Sequence, residues 1–142
     1  MAKKSIKAGK LPQNKGSITS GPLPSVKTLS FSFKHFVEDH QKFSYNQQNS
    51  AYFCKVLERL KNLSLMTADE FTSNRSSTLR AHPIDWDGTT EADGFSHLNE
   101  QFQSYTPYQF SISSNAHGRI HGFIANEIFH VIWLDPEHKL YA

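Results

Sequence analysis

Two apolar-rich runs near the C-terminus, residues 118–124 and 128–134, constrain the fold most strongly. A short Ala-Asn-Glu interruption separates them, so the runs are close enough in sequence to pair as an antiparallel hairpin. Histidines and one arginine are nevertheless spaced through both runs. A strand pair that builds a core has no use for these side chains on its buried face, so the hairpin is expected to have two unlike faces.

A tight two-residue turn at Ala125–Asn126 predicts how the side chains divide. Successive residues of a strand point to opposite faces, and an even-length turn puts odd positions of the first strand with even positions of the second. In this register His121 and His130 are direct cross-strand neighbours. The core face carries Ile120, Ile124, Phe129, Val131 and Trp133, and the mixed face carries His117, Arg119, His121, Phe123, Ile128, His130, Ile132 and Leu134.

The remaining pattern predicts an α+β fold. Residues 28–36 and 108–113 alternate as strands do, and an apolar stripe following Asn49 and Ser50 predicts a long helix. The capping-box pattern from Thr67 to Glu70 predicts a second, short helix. Residues 73–106 form a polar, irregular insertion in which Phe95, Leu98 and Phe102 have helical spacing. We expect a small antiparallel sheet with two main helices on one face, within a single domain over residues 29–142.

Charge is distributed unevenly along the chain. Residues 1–37 contain seven lysines and no acid, whereas the rest carries eight Lys and Arg against thirteen Asp and Glu, a net charge of −5. Residues 1–28, rich in Lys, Gly, Ser and Pro, are predicted to be a disordered tail. No apolar run reaches the roughly 18 residues of a membrane span, and one cysteine excludes an intrachain disulfide. We therefore expect a cytoplasmic protein without membrane contact.

The mixed hairpin face has residues suited to RNA chemistry. Histidine serves as acid or base near neutral pH, and Arg119 can hold a phosphate by paired hydrogen bonds. Phe123 can stack on a base. A zinc site is not predicted, because His117 and His121 would lie about 13 Å apart along a strand. No cofactor is predicted either.

The insertion has a second group of candidate residues, Arg75, Arg80 and His82, next to Trp86. Arginine and histidine beside an aromatic side chain can form a pocket for a phosphate and a base. The alternative is a surface loop that Trp86 anchors to the body of the domain.

The C-terminal half resembles the RelE/ParE-type toxin superfamily of toxin–antitoxin systems. The resemblance rests on Gly118-Arg119-Ile120, the apolar strand Phe129–Leu134 and the ending Asp135-Pro136-Glu137-His138-Lys139-Leu140-Tyr141, and it covers about residues 29–141. It implies a RelE-like fold and a ribosome-dependent endoribonuclease that cleaves mRNA. mRNA and the ribosome would be partners, and a cognate antitoxin protein another.

The resemblance also implies roles for individual residues. Arg119 would hold the scissile phosphate, His138 or Lys139 would supply charge or a proton, and Tyr141 would be the terminal aromatic residue. The predicted catalytic residues are Arg119, His121, His130, His138 and Tyr141, and the predicted substrate-binding residues are Arg75, Arg80, His82, Phe123 and Lys139.

Two other functions remain open. The acidic body favours a non-catalytic RelE-like module that holds a protein or RNA partner through the mixed sheet face. A hydrolase with a different histidine-based mechanism is a third reading, for which the sequence offers no nucleophile motif.

Overall fold

The fold is α+β, with a mixed, mostly antiparallel five-stranded sheet. The computed structural model describes residues 26–141, so nearly all of the tail predicted at residues 1–28 lies outside the described residues. The strands are β1 (Ser30–Ser32), β2 (His82–Pro83), β3 (Pro107–Ser111), β4 (Arg119–Ala125) and β5 (Ile128–Asp135), and the helices are α1 (Ser50–Leu63), α2 (Ala68–Ser73) and α3 (Glu100–Gln103).

The strand order is β1-β5-β4-β3-β2. The prediction of an antiparallel sheet is wrong at one edge, because β1 runs parallel to β5. The two helices between β1 and β2 make this parallel arrangement possible, since parallel neighbours need a long crossover connection. The other pairings are antiparallel.

Local chemistry explains where the two main helices begin. The Asn49 side chain caps α1 by accepting the Tyr52 N–H at 3.1 Å. Both capping-box bonds of α2 form, since the Thr67 hydroxyl accepts the Glu70 N–H at 3.0 Å and the Glu70 carboxylate accepts the Thr67 N–H at 2.8 Å. These helices are confirmed at their predicted positions. The helix in the insertion is only the single turn of α3.

The helices cover one face of the sheet with a large apolar cluster. Helix α1 contributes Tyr52, Val56, Leu60 and Leu63, and α2 contributes Phe71. They pack on Phe110, Ile120, Phe129, Val131 and Leu134 of the central strands.

The opposite face of the sheet is also buried. Residues of the irregular segments 37–43 and 84–102 and of the C-terminal segment pack there on the sheet residues Phe123, Ile132 and Trp133. The insertion is therefore a third layer, and Trp86 anchors it by edge-to-face contacts with Phe95 and Trp133. The mixed face, on which the sequence analysis placed residues suited to RNA chemistry, is therefore covered.

The register of the hairpin differs from the predicted one in two ways. The turn is Asn126–Glu127, so Phe123 pairs with His130, and a bulge then makes Ile132 an extra residue in β5. Beyond this bulge His121 pairs with Trp133 and Arg119 with Asp135. The predicted His121–His130 pairing is therefore wrong, and Trp133 and Leu134 have exchanged the faces predicted for them.

Gly122 permits the bulge through close backbone contact. A Cβ at this position would lie 2.0 Å from the His130 carbonyl oxygen, a distance that no side chain tolerates. The glycine thus allows β4 and β5 to approach where the register shifts.

No helix within residues 26–141 is both long and apolar enough to cross a bilayer.

The hairpin turn gives a test of this register. Asn126 and Glu127 have φ angles of 55° and 60°, the left-handed pair of a type I′ turn that favours glycine at its second position. We expect Glu127→Gly to raise the free energy of unfolding by about 0.5–1 kcal/mol by relieving this strain. Urea denaturation measures the change. Glu127→Gln keeps the strain and is the control, and equal stability of the two variants would contradict the turn assignment.

Candidate active site

Five of the predicted site residues converge at one end of the sheet. They line a cavity of about 350 Å³ together with Gln109, which the sequence analysis did not select. Arg119 comes from β4, Gln109 from β3 and His82 from β2, while the C-terminal segment crosses the same end of the sheet. The lining residues are Arg80, His82, Gln109, Arg119, His138 and Tyr141.

A second cavity of about 380 Å³ adjoins the first. Both are lined by Arg80, Arg119 and His138, and the second is completed mainly by the loop of residues 114–118. The two cavities therefore form one groove with these three side chains at its centre.

Arg119 is the half-buried cation of the groove. One terminal nitrogen donates to the Gly118 carbonyl at 3.2 Å, whereas the buried Nε has no hydrogen-bond partner. Burial and the neighbouring Arg80 lower the pKa of Arg119, and Asp135 opposes them. An arginine remains charged at neutral pH despite such a shift, so the groove holds a fixed positive charge with donor capacity to spare.

Gln109 and His82 form a polar wall. The His82 Nδ1 lies 2.8 Å from the Pro83 carbonyl oxygen, and its Nε2 lies 3.0 Å from the Gln109 amide nitrogen. Since a carbonyl only accepts, Nδ1 carries the proton and Nε2 accepts from the amide. The buried Gln109 Oε1 and the nearby Ser111 hydroxyl have no partner. Buried polar groups left unsatisfied in this way are uncommon and tend to mark functional positions.

His138 is the titratable group at the centre of the groove. Partial burial of its ring lowers its pKa, and the positive charge of Arg119 lowers it further. Arg80 and His82 act in the same direction, while Asp135 opposes them. The imidazole is therefore neutral at pH 7 and able to accept a proton.

Tyr141 lies beside His82 with ring centroids 6.1 Å apart. Its hydroxyl oxygen accepts the Asp85 N–H at 3.3 Å. The phenol proton is thus left free to donate into the cavity.

His121 does not reach the groove. It is fully buried, and its Nε2 donates to the Asp135 carboxylate at 3.0 Å. Burial lowers the pKa of His121 more than Asp135 raises it, so this ring is neutral. Asp135 was named in the sequence analysis only as part of the C-terminal ending, with no role assigned to it. The only sequence feature that pointed to its structural role is its position at the end of the apolar strand, directly before Pro136.

The other predicted site residues lie elsewhere. His130 and Phe123 stack at 4.8 Å near the β4–β5 turn, and Phe123 has no exposed surface on which a base could stack. The Arg75 side chain is exposed after α2, where it donates to the Thr72 and Asn74 carbonyls. Lys139 forms an exposed ion pair with Glu137. None of these four residues lines the groove.

Within residues 26–141 no three His, Cys, Asp or Glu side chains are grouped so that they could hold a metal ion.

Searches against protein-family models, curated proteins and solved structures find no match for this chain. The geometry of the groove is accordingly the basis for any functional proposal.

The Asp135 carboxyl gives a test of the site's internal electrostatics. Burial opposes its ionisation, but the hydrogen bond from His121 and those from the Lys139 and Leu140 N–H groups together lower its pKa below the usual 3.8. A lowered pKa stabilises the fold above pH 3.8, and this contribution disappears as the pH falls through the lower folded-state value.

We therefore expect Asp135→Asn to lower the free energy of unfolding at pH 7 by about 3 kcal/mol. The difference in the free energy of unfolding between the wild type and this variant should decrease on acidification below pH 3.8. Urea titrations at several pH values measure this difference. Asp93→Asn, at an exposed position, is the control. A constant gap at all pH values would contradict an ionised, stabilising Asp135.

Proposed function

We propose that this protein is a RelE-like endoribonuclease that cleaves mRNA, with translating ribosomes as its site of action. One observation carries the proposal. Two arginines, two histidines and a tyrosine converge on the groove, and no acid is among the residues at its shared centre. The chain begins with the strand–helix–helix order β1, α1, α2 and ends with the three consecutive antiparallel strands β3, β4 and β5, with β2 and α3 between these two parts. This element order supports a RelE-like fold.

The shared centre of the groove suits a phosphodiester. Arg119 and Arg80 approach it together, and guanidinium groups bind phosphate oxygens through paired, charge-assisted hydrogen bonds. The half-buried Arg119 guanidinium, which lines both cavities, supplies such donors. Cations held in place before the reaction also stabilise the extra negative charge of a pentacovalent phosphorus, which is a large term in catalysis.

His138 and Tyr141 supply the proton transfers. In the proposed reaction His138 accepts the proton of the ribose 2′-hydroxyl, whose oxygen attacks the adjacent phosphorus. The P–O5′ bond breaks as the new O2′–P bond forms, and Tyr141 donates its proton to the departing 5′-oxygen. The products are a 2′,3′-cyclic phosphate and a 5′-hydroxyl, and solvent returns both side chains to their starting states.

The two-cavity groove supports a substrate that continues on both sides of the cleaved bond. Each cavity has a volume near the lower end of the range for small-ligand sites, and Arg80, Arg119 and His138 stand between them. A polynucleotide can pass through such a groove with its scissile phosphate at the centre. The required 2′-hydroxyl makes the substrate RNA rather than DNA.

The alternative of a non-catalytic module that holds a partner through the sheet face has less support. Phe123 and Ile132, which would form that face, are fully buried beneath the third layer. A partner would have to displace this layer before reaching them. A binding module would more readily use the same cationic groove to hold RNA without cleaving it.

Induced expression in bacteria tests the proposal. We expect the wild-type chain to arrest growth and cut transcripts, and Arg119→Ala to reduce cleavage by about 10²–10³-fold, the usual cost of losing one donor to a developing charge. Arg75→Ala removes an exposed arginine outside the groove and should behave like the wild type. Normal growth with intact messages in the wild type would count against an endoribonuclease and move the proposal to RNA binding.

The pH dependence of cleavage tests the role of His138. Only its neutral form accepts a proton, so kcat/KM should fall as the pH drops through its pKa, which lies below the usual 6.5. Arg80→Gln removes a cation that lowers this pKa, and its acidic limb should therefore move to higher pH. Arg75→Gln is the matched control. An unmoved limb in Arg80→Gln would exclude His138 as the group that sets it.

A further inference from the structure

The C-terminal segment that carries two of the groove residues has no regular secondary structure. Residues 136–141 follow β5 as a turn and an irregular stretch, and His138 has a left-handed φ of 55°. Such a conformation is uncommon outside glycine and persists only where neighbouring contacts impose it. The position of His138 therefore needs a physical cause outside the residue itself.

That cause lies in the fully buried side chain of Asp135. One carboxylate oxygen accepts the Lys139 N–H at 2.7 Å, and the other accepts the Leu140 N–H at 3.0 Å and the His121 Nε2–H at 3.0 Å. The Asp135 carbonyl also accepts the His138 N–H at 3.2 Å. Three N–H groups of the C-terminal segment thus converge on one residue, and His138 is held between them.

His121 of β4 provides the remaining hydrogen bond to the Asp135 carboxylate. Its Nε2–H satisfies a lone pair of a carboxylate that has no access to water, while its Nδ1 has no partner. Removing the imidazole would leave a buried negative charge with fewer donors, which is costly in a low-dielectric interior. The bulge in β5 is what brings His121 and Asp135 to the same face.

We propose that Asp135, supported by His121, is a positioning residue that holds His138 and Tyr141 over Arg119. This inference rests on the proposed function for its catalytic meaning, but the positioning itself can be measured without any activity. Neither side chain touches the groove, so Asp135 and His121 act through the turn that they fix. The strand histidine that the sequence suggested as catalytic has, on this view, a supporting role.

The geometry predicts that Asp135→Asn changes the pKa of His138. The direction of this change distinguishes a positioning role of Asp135 from a purely electrostatic one. The charged or titratable groups that influence the His138 ring are Arg119 of β4, Asp135 of β5, His82 of β2 and Arg80, which precedes β2. If Asp135→Asn removed only a negative charge, the pKa of His138 would fall further. If the substitution releases the turn, His138 moves away from the cations and its pKa rises toward 6.5.

The experiment is an NMR titration of His138 in the full chain, combined with hydrogen exchange of the Lys139 and Leu140 amides. We expect Asp135→Asn to raise the pKa of His138 and to speed exchange at both amides by at least about tenfold, which corresponds to roughly 1.4 kcal/mol of lost protection. Glu137→Gln removes an exposed acid of the same segment, so it should leave amide protection unchanged and not raise the pKa. A fall in the pKa of His138 with intact amide protection in Asp135→Asn would overturn the proposal.

Two variants of His121 keep the proposal testable if Asp135→Asn does not fold. His121→Leu removes the donor to the carboxylate, whereas the amide of His121→Gln can place a donor near the lost Nε2. We expect His121→Leu to loosen the turn and His121→Gln to restore most of its protection. Equal protection of both amides in the two variants would overturn the supporting role of His121.

RNA cleavage then separates this inference from the proposed function. If the wild type cleaves RNA, Asp135→Asn should lower kcat with a smaller effect on KM, because Arg119 and Arg80 still bind the phosphate. If the wild type does not cleave RNA, the endoribonuclease proposal fails, while the NMR results still decide whether Asp135 positions the segment.

Discussion

The pairing of β4 with β5 determines the rest of the structure, and its decisive feature is the extra residue Ile132. Without the bulge, alternation along the hairpin would put Asp135 on the helix-covered face, opposite to Arg119 and His121. With it, all three share the face on which the third layer packs. One backbone irregularity thus brings together the cation of the groove, the acid that anchors the C-terminal segment and the histidine that supports this acid. Bulges often re-aim side chains beside functional sites.

The groove and the interior beneath it use charge in opposite ways. At the shared centre of the groove, Arg80, Arg119 and His138 gather without an acid among them, so that they can act on an anion from outside. In the interior, one carboxylate is surrounded by N–H donors and takes no part in the groove surface. The cations at the centre of the groove are left free to bind an anion, whereas the buried Asp135 carboxylate accepts hydrogen bonds on both of its oxygens. This contrast distinguishes the residues that would bind a ligand from those that stabilise the fold.

The sequence predicted the elements whose signals are local. The apolar stripe and Asn49 predicted α1, and the Thr67–Glu70 pattern predicted α2, because cap and periodicity act within a few residues. Two apolar residues of α1, Phe53 and Leu57, nevertheless lie partly or largely exposed. Arg119, His138 and Tyr141, which the sequence analysis selected, line the same cavity.

Features that depend on tertiary contacts could not be predicted. No local sequence pattern indicates that Ile132 is an extra residue in β5 without a partner in β4. A one-residue shift of the strand register moves every following side chain to the opposite face of the sheet. The two-residue strand β2, which brings His82 to Gln109, lies in a polar stretch without alternation. Gln109 gave no signal because an amide in a strand has no distinctive chemistry until its neighbours are known. The burial of His121 likewise follows from the third layer, which forms from residues that read as a loop.

The third layer also gives the molecule an internal optical reporter. The chain has two tryptophans, Trp86 and Trp133, and their rings lie 6.0 Å apart within the cluster on that side of the sheet. Intrinsic fluorescence consequently follows the irregular layer, whereas far-ultraviolet circular dichroism is dominated by α1 and α2 on the other side. Superimposable transitions from the two signals would mean that both layers melt as one cooperative unit. Separate transitions would show that the third layer can detach from the sheet while the helical half stays folded.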